Sequence, residues 1–338
     1  MFTFSPDDCH TKVIENLKPE LSFDPNANYS EWKEKVREKF NELLGDDMHP
    51  TPLNVTVEYE KETEEYIERR VIFDTEPGAS VPCHLRLPKG KEGPYPVVIC
   101  LQGHYSGMHI SLGNPIYPGD EEDIAGGDRD FARQIIREGY AALTVEQRDM
   151  GERKCHPSIM KGNTTCEHSS MVALLIGRTM VKERAWDISR AIDMLETLPE
   201  IDKDHIALMG NSGGGTTTYY ATALEPRIKV AMPSCSVCSF DRSIALLRHC
   251  DCNYIPKMLK YFDMGEIAAL IAPRPLIVIA GEKDYGFKID GTKKVYSVIE
   301  QIYEKENAKD NCKLIVGPEG HRFYADLSWD TFRKYFLG

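Results

Sequence analysis

The chain has 338 residues, 41% hydrophobic and 28% charged, with 41 basic against 53 acidic side chains and a net charge of −12. That length suits one large α/β domain with decoration or two small ones. The acidic balance argues against the clustered Lys and Arg on which nucleic-acid and anionic-lipid binding depend. No apolar run approaches the roughly 18 residues of a membrane span, so the expected partner is a small molecule, with no nucleic acid and no membrane.

The opening, MFTFSPDDCHTK, has no basic stretch followed by a long apolar one. A cytoplasmic location is therefore expected, and with it thiols rather than a disulfide framework for the ten cysteines. Residues 1–50 read as a polar helical extension packed on a catalytic domain over 51–338. Trp32, Val36, Phe40, Leu43 and Leu44 share one helical face, with Ser30 as N-cap and Gly45 as stop. Segments 53–60, 65–74 and 81–88 alternate apolar and polar residues, as half-buried antiparallel strands do. The pattern then changes. Runs at 96–101, 140–145, 205–210, 228–233, 275–281 and 312–317 are almost continuously apolar, the mark of a parallel sheet covered on both faces. Helical patterns at 131–138, 183–199, 213–224, 293–305 and 329–336 lie between most of them. On the second, Trp186 reads as core and Asp187 with Arg190 as a local ion pair. Loops 105–128 and 148–169 have no period, and loops of that length often cover a site. Residues 171–175 with Met180 either line an acyl pocket or begin a helix.

Gly210-Asn211-Ser212-Gly213-Gly214 follows a strand and opens a helix. G-x-S-x-G in that setting is a nucleophile elbow, a turn so tight that residues beside the serine must lack clashing side chains. A phosphate loop needs Lys-Ser/Thr after the glycines, and a dinucleotide fingerprint needs G-x-G-x-x-G; neither is present. A serine hydroxyl needs a base and an orienting acid, in chain order Ser, acid, His. Downstream lie His249 and His321; His321, after the last apolar run, fits that order. Glu282, Asp284 and Asp290 follow the run at 275–281, and Asp284 is the expected acid. The oxyanion hole is expected from the N–H groups of Gly213 and His104. Gln102, Tyr105, Arg148 and Asn211 complete the expected substrate-binding set. Arg148 has a rival reading as a structural ion pair.

The stretches VVICLQGH, EQRDMGER, ERAWDISRAIDMLETLPEID, GNSGGG, APRPLIVIAGEKD and EGHRF run in order from about residue 82 to the C-terminus. Through them the chain resembles the bacterial acetyl xylan esterase-like and dienelactone hydrolase-like α/β-hydrolases. The resemblance implies an α/β-hydrolase fold with a mostly parallel eight-stranded sheet flanked by helices, after leading antiparallel strands. It also implies a triad of Ser212, Asp284 and His321 and the hydrolysis of esters. The chain departs from the family pattern at Gln102-Gly103, where H-G is common. It departs again at Gly213, where the sugar deacetylases carry Gln, and at Arg148-Asp149-Met150-Gly151, where they carry R-G-Q.

The functional expectation is a serine carboxylesterase for short acyl groups such as acetyl on carbohydrate. The same triad also serves lactones, thioesters and peptides, and a non-catalytic binding protein is the rival from another class. No organic cofactor and no metal is expected. The sharpest competing reading is a thiolate zinc site on Cys235, Cys238, Cys250 and Cys252, against packed thiols.

Overall fold

The structure, a computed structural model, describes residues 4–156 and 166–337. Nine strands form its sheet: β1 (Thr56–Glu62), β2 (Tyr66–Glu76), β3 (Ala79–Pro88), β4 (Tyr95–Leu101), β5 (Ala141–Val145), β6 (Ile201–Asn211), β7 (Val230–Ser234), β8 (Leu276–Gly281) and β9 (Cys312–Gly317). Their order is β1-β2-β3-β5-β4-β6-β7-β8-β9. Pairs from β1 to β3, and β3 with β5, are antiparallel; the rest are parallel. The sheet is thus mixed and nine-stranded, not the eight-stranded sheet the family resemblance implied. The additional strand is accounted for by the leading meander, whose outermost member β1 is exposed along almost all its length and adds an edge without adding core.

Five of the six apolar runs read as buried on both faces are so; the last, β9, is an edge strand that leaves Lys313 and Val316 exposed. Val97, Ile99 and Leu101 of β4 point into one core with helix Met180–Leu195, while Val98 and Cys100 point into the other with helices Phe131–Glu138 and Ala325–Phe336. This period of two is the strand's own geometry. The chain leaves β4 for β5 on one side and returns to β6 on the other. At such a reversal the loops beyond the strands' carboxyl ends part and leave a crevice.

Helix Tyr29–Leu44 buries Trp32, Val36, Phe40, Leu43 and Leu44, as its periodicity required. Its N-cap is Asn28, not Ser30: the Asn28 side chain accepts from the Glu31 N–H, and Gly45, at φ 94°, ends the helix. Phe40 stacks on Tyr220 at 5.7 Å, so this helix shares the core behind the serine-bearing turn. Helix Pro6–Asn16, before it, buries nothing. Asp187 does not pair with Arg190. It takes Arg148 and Arg153 across the fold, at 2.9 and 2.7 Å, while Arg190 turns to Asp193. Trp186 donates its indole N–H to the Thr75 carbonyl. Among the described residues no helix is long and apolar enough to cross a membrane.

Phe40 is fully buried, so Phe40→Ala removes a ring from a site that cannot collapse. Unfolding in urea is expected to show a loss of about 3–5 kcal/mol, which a helix merely resting on the surface would not give.

Candidate functional site

Six strand ends supply the site. The turn from β6 into helix Gly213–Leu224 puts Ser212 at φ 56°, ψ −119°. A positive φ is uncommon for a side-chain-bearing residue and costs about 1–3 kcal/mol unless the surroundings hold it. Here they do. The Ser212 N–H donates to the Ser234 carbonyl at the end of β7, 2.9 Å away, and the Ser212 carbonyl accepts from Thr216. The helix is poor in helix formers at its start, Gly213-Gly214-Gly215-Thr216-Thr217-Thr218, yet all of these are buried. Packing, not propensity, makes it helical.

Gly213 is dictated by His104. A Cβ on Gly213 would lie 2.6 Å from His104 Cε1 and 3.3 Å from Met150 Cε. The loop after β4 therefore folds directly over the start of this helix, and a Gln side chain after the serine has no room. Gly103, on the same loop, approaches as closely: a Cβ there would stand 3.0 Å from Ser212 Cβ and 2.9 Å from Tyr105 Cε2.

His321, after β9, meets Asp284, after β8, through Nδ1 to Oδ2 at 2.7 Å. The other Asp284 oxygen accepts from the N–H groups of Gly286 and Phe287, at 2.9 and 3.1 Å. Burial acts to raise the Asp284 pKa, but the His321 ring and these N–H groups outweigh it and hold the carboxyl below its ordinary value. The carboxylate is charged at neutral pH. The two loops fit because Gly281 has no side chain: a Cβ there would fall 2.0 Å from the Gly320 carbonyl oxygen. Phe287 stacks on the His321 ring at 5.9 Å, and the Arg129 guanidinium donates to the His321 carbonyl at 3.1 Å.

Ser234 links the two halves. Its hydroxyl contacts Asn211 Oδ1 at 3.0 Å, beside the serine, and the Arg322 carbonyl at 3.3 Å, beside the histidine. Cys235 Sγ lies within 4.8 Å of the Asp284 and His321 donor atoms. Tyr105 and His104 thus lie against the Asn211-Ser212-Gly213 turn, and the Asp284–His321 pair stands on the ends of β8 and β9, joined to that turn through Ser234. His249 lies beside that pair and shares its Nε2 contact with the Gly286 carbonyl, 3.1 Å away.

Arg148 goes elsewhere. Its guanidinium meets Glu76, Glu183 and Asp187, each at 2.9 Å. The ion-pair reading is the one this geometry matches, and the arginine ties the loop after β5 to helix Met180–Leu195. Gln102 is buried and braces the same loops, donating to Glu146 Oε1 at 2.6 Å. Loop 105–128 is not featureless: it contains short helices His109–Leu112 and Asp120–Ala125, joined by His109 to Asp120 at 2.9 Å. Of loop 148–169, residues 157–165 lie outside the described residues. The apolar run after it forms helix Glu167–Leu175, with Met171, Val172 and Leu175 exposed. Met180 is buried.

Ser234, Arg129, Phe287 and Met150 were not singled out from the sequence. Ser234 alone had a signal: it directly follows the apolar run 228–233.

The profile of the Abhydrolase family matches residues 4–314. YtaP of Bacillus subtilis (strain 168), named as a hydrolase, is 28% identical over 294 residues, 84% of this chain and 92% of that protein. A Bacteroides fragilis protein named as an acetyl xylan esterase superposes with a TM-score of 0.80 at 17% identity, over 98% of this chain and 95% of that one. The glucuronoyl esterase from Solibacter usitatus gives a TM-score of 0.70 at 17% identity, over 96% and 98%. At such identities these two structures establish the likeness of fold.

Glu146, at the end of β5, accepts from Gln102 and from the Met108 N–H, yet burial raises its carboxyl to about 7. A folded-state pKa above the unfolded one means that the native state holds the extra proton. Stability from this group is therefore full below about pH 4.5 and is lost as pH rises through 7. Glu146→Gln should remove that slope. Unfolding free energies from urea titrations at pH 5 and 8 are expected to differ by up to about 3 kcal/mol less in the mutant than in wild type; parallel profiles would mean that Glu146 is ionised throughout.

Proposed function

The chain belongs to the Abhydrolase family, and from that premise we propose that it is a serine carboxylesterase acting on short acyl esters, acetyl groups on carbohydrate in particular. The observation that carries the reading is the conjunction of Ser212 in a left-handed strand-to-helix turn with the Asp284–His321 pair on the ends of β8 and β9. A structural serine does not need the strained turn, and a surface histidine does not need a buried, charged carboxylate partner.

In the proposed mechanism Ser212 Oγ attacks the ester carbonyl while His321 takes its proton. Asp284 occupies Nδ1, so Nε2 is the nitrogen left for the serine proton. Asp284 holds that tautomer and stabilises the imidazolium. The N–H groups of Gly213 and His104 receive the oxyanion. Gly213 opens a helix, where N–H groups have no preceding carbonyl to bond and developing negative charge is favoured. His321 returns the proton to the leaving alcohol. Water then attacks the acyl-serine with His321 as base again. Asn211 acts by its position against Ser234.

A small acyl group is supported by the crowding at the serine. The Tyr105 ring, the His104 ring and Met150 Cε stand so close to Gly103 or Gly213 that a Cβ there would lie 2.9, 2.6 and 3.3 Å from them. A carbohydrate-derived ester is supported by the names of the structural neighbours, an acetyl xylan esterase and a glucuronoyl esterase.

Hydrolysis of p-nitrophenyl esters from acetate to octanoate should fall steeply beyond the shortest acyl group. Ser212→Ala is expected to lower kcat at least a thousandfold, and Asp284→Asn by about 10⁴, with the fold intact by circular dichroism. Full turnover of the acetate by Ser212→Ala would sink the mechanism. Turnover of a glucuronic acid methyl ester but of no acetyl ester would replace acetyl by a uronic acid ester as substrate.

A further inference from the structure

The zinc reading of the sequence divided its donors as the fold does not. Cys235 lies beside Asp284 and His321, and the Cys238 thiol points to the Lys288 carbonyl at 3.4 Å. Cys250 and Cys252 instead meet two residues from distant parts of the chain, His104 and Cys166. The one nitrogen and three sulfurs all lie within 4.8 Å of one another. His104 Nε2 is 3.1 Å from Cys252 Sγ, and the Cys250 and Cys252 sulfurs are 3.3 Å apart. A tetrahedral zinc with bonds of about 2.3 Å to sulfur and about 2.05 Å to nitrogen needs edges of about 3.8 and 3.6 Å. The observed cluster needs adjustments of a fraction of an ångström to about one ångström to meet that.

Charge supplies an independent observation. Arg184 is buried, and among the described residues its hydrogen bonds go to the Arg148 carbonyl, to Cys252 Sγ at 3.2 Å and to Cys166 Sγ at 3.1 Å, and to no carboxylate. A buried guanidinium without a counter-anion is costly. Asp149 adds a coulombic attraction, but the groups in hydrogen-bond contact with the guanidinium, apart from the Arg148 carbonyl, are the two sulfurs. The Cys252 thiol is held well below its ordinary value, chiefly by the Cys166 and Cys250 thiols hydrogen-bonded to it and also by Arg184. Three thiolates and a neutral imidazole on a divalent ion leave one negative charge, which the single positive charge of Arg184 cancels. N–H donors on metal-bound sulfur are the usual way such a site is neutralised and oriented.

We propose that His104, Cys166, Cys250 and Cys252 form a closed Cys₃His site for zinc, with Arg184 as the cation that balances it. On binding, three S–H bonds break, their protons pass to solvent, and three Zn–S bonds and one Zn–N bond form, with no change of oxidation state. Four protein ligands leave no open position, so the ion is structural. It ties together the loop after β4, the start of helix Glu167–Leu175 and the loop after β7. The His104 ring that would bind it is the ring against which Gly213 packs, so the metal fixes the loop that supplies one proposed oxyanion donor. The site depends on these residues alone and stands whether or not the esterase reading does.

The test is metal content, read separately from activity. The full chain, reduced, is incubated with zinc and freed of excess by gel filtration, then assayed for zinc and for reactive thiols. Wild type and Cys238→Ser should each retain about one zinc per chain, and Cys250→Ser/Cys252→Ser should retain none. Zinc kept by the double variant, or none bound by wild type, overturns the proposal. A mass two protons lower with two fewer thiols in freshly purified, unreduced protein that then refuses zinc on reduction would make the cluster a redox pair instead. If the double variant fails to fold, cobalt substitution of wild type decides. Intense tetrahedral d–d absorption with a sulfur-to-cobalt charge-transfer band supports the site, and a weak octahedral spectrum overturns it.

Discussion

The left-handed turn at Ser212 is the constraint around which the crevice is arranged. It persists because backbone on both sides holds it, the Ser234 carbonyl from β7 and the first turn of the helix behind. That support in turn requires β6 and β7 to be neighbours in a parallel sheet, and a helix start stripped of side chains where the loop after β4 crosses it. The same economy recurs at Gly281, whose bare Cα lets the loop carrying His321 come down on the loop carrying Asp284. Close backbone approach at two strand ends brings Asp284 and His321, far apart in sequence, into hydrogen-bond contact.

Much of this was readable in the residues. Continuous apolar runs gave the buried parallel strands because a sheet covered on both faces has no polar side to alternate with. Helices Phe131–Glu138 and Gly213–Leu224 fall where their patterns put them. The G-x-S-x-G setting and the order of acid and histidine pointed to Ser212, Asp284 and His321, and the fold sets the last two in hydrogen-bond contact. What failed was pairing. Asp187 and Arg190 stand one turn apart on a helix, the spacing of a local ion pair, but the interior offered Asp187 two arginines from the loop after β5. Local spacing says which partners are possible; burial of the carboxylate decides among them.

The cysteines repeat that lesson. Cys235-x-x-Cys238 looked like half of a metal site because its spacing suits one. The turn at Cys235, itself left-handed at φ 48°, instead puts its thiol beside Asp284. Cys166 and His104 carried no spacing signal, since neither has a second donor of the cluster close by in the sequence. Arg148 shows the converse: an arginine at a strand end beside a crevice reads as a ligand-binding group until three carboxylates are seen to saturate it. The strand ends thus divide between groups free to meet a substrate and groups that hold the loops in place.

The most direct test of the central claim is the site of covalent capture by a fluorophosphonate, mapped by peptide mass spectrometry. The account predicts one adduct, on Ser212, formed rapidly by wild type and at least a thousandfold more slowly by His321→Ala. An adduct on another residue, or none from a folded protein, would contradict it.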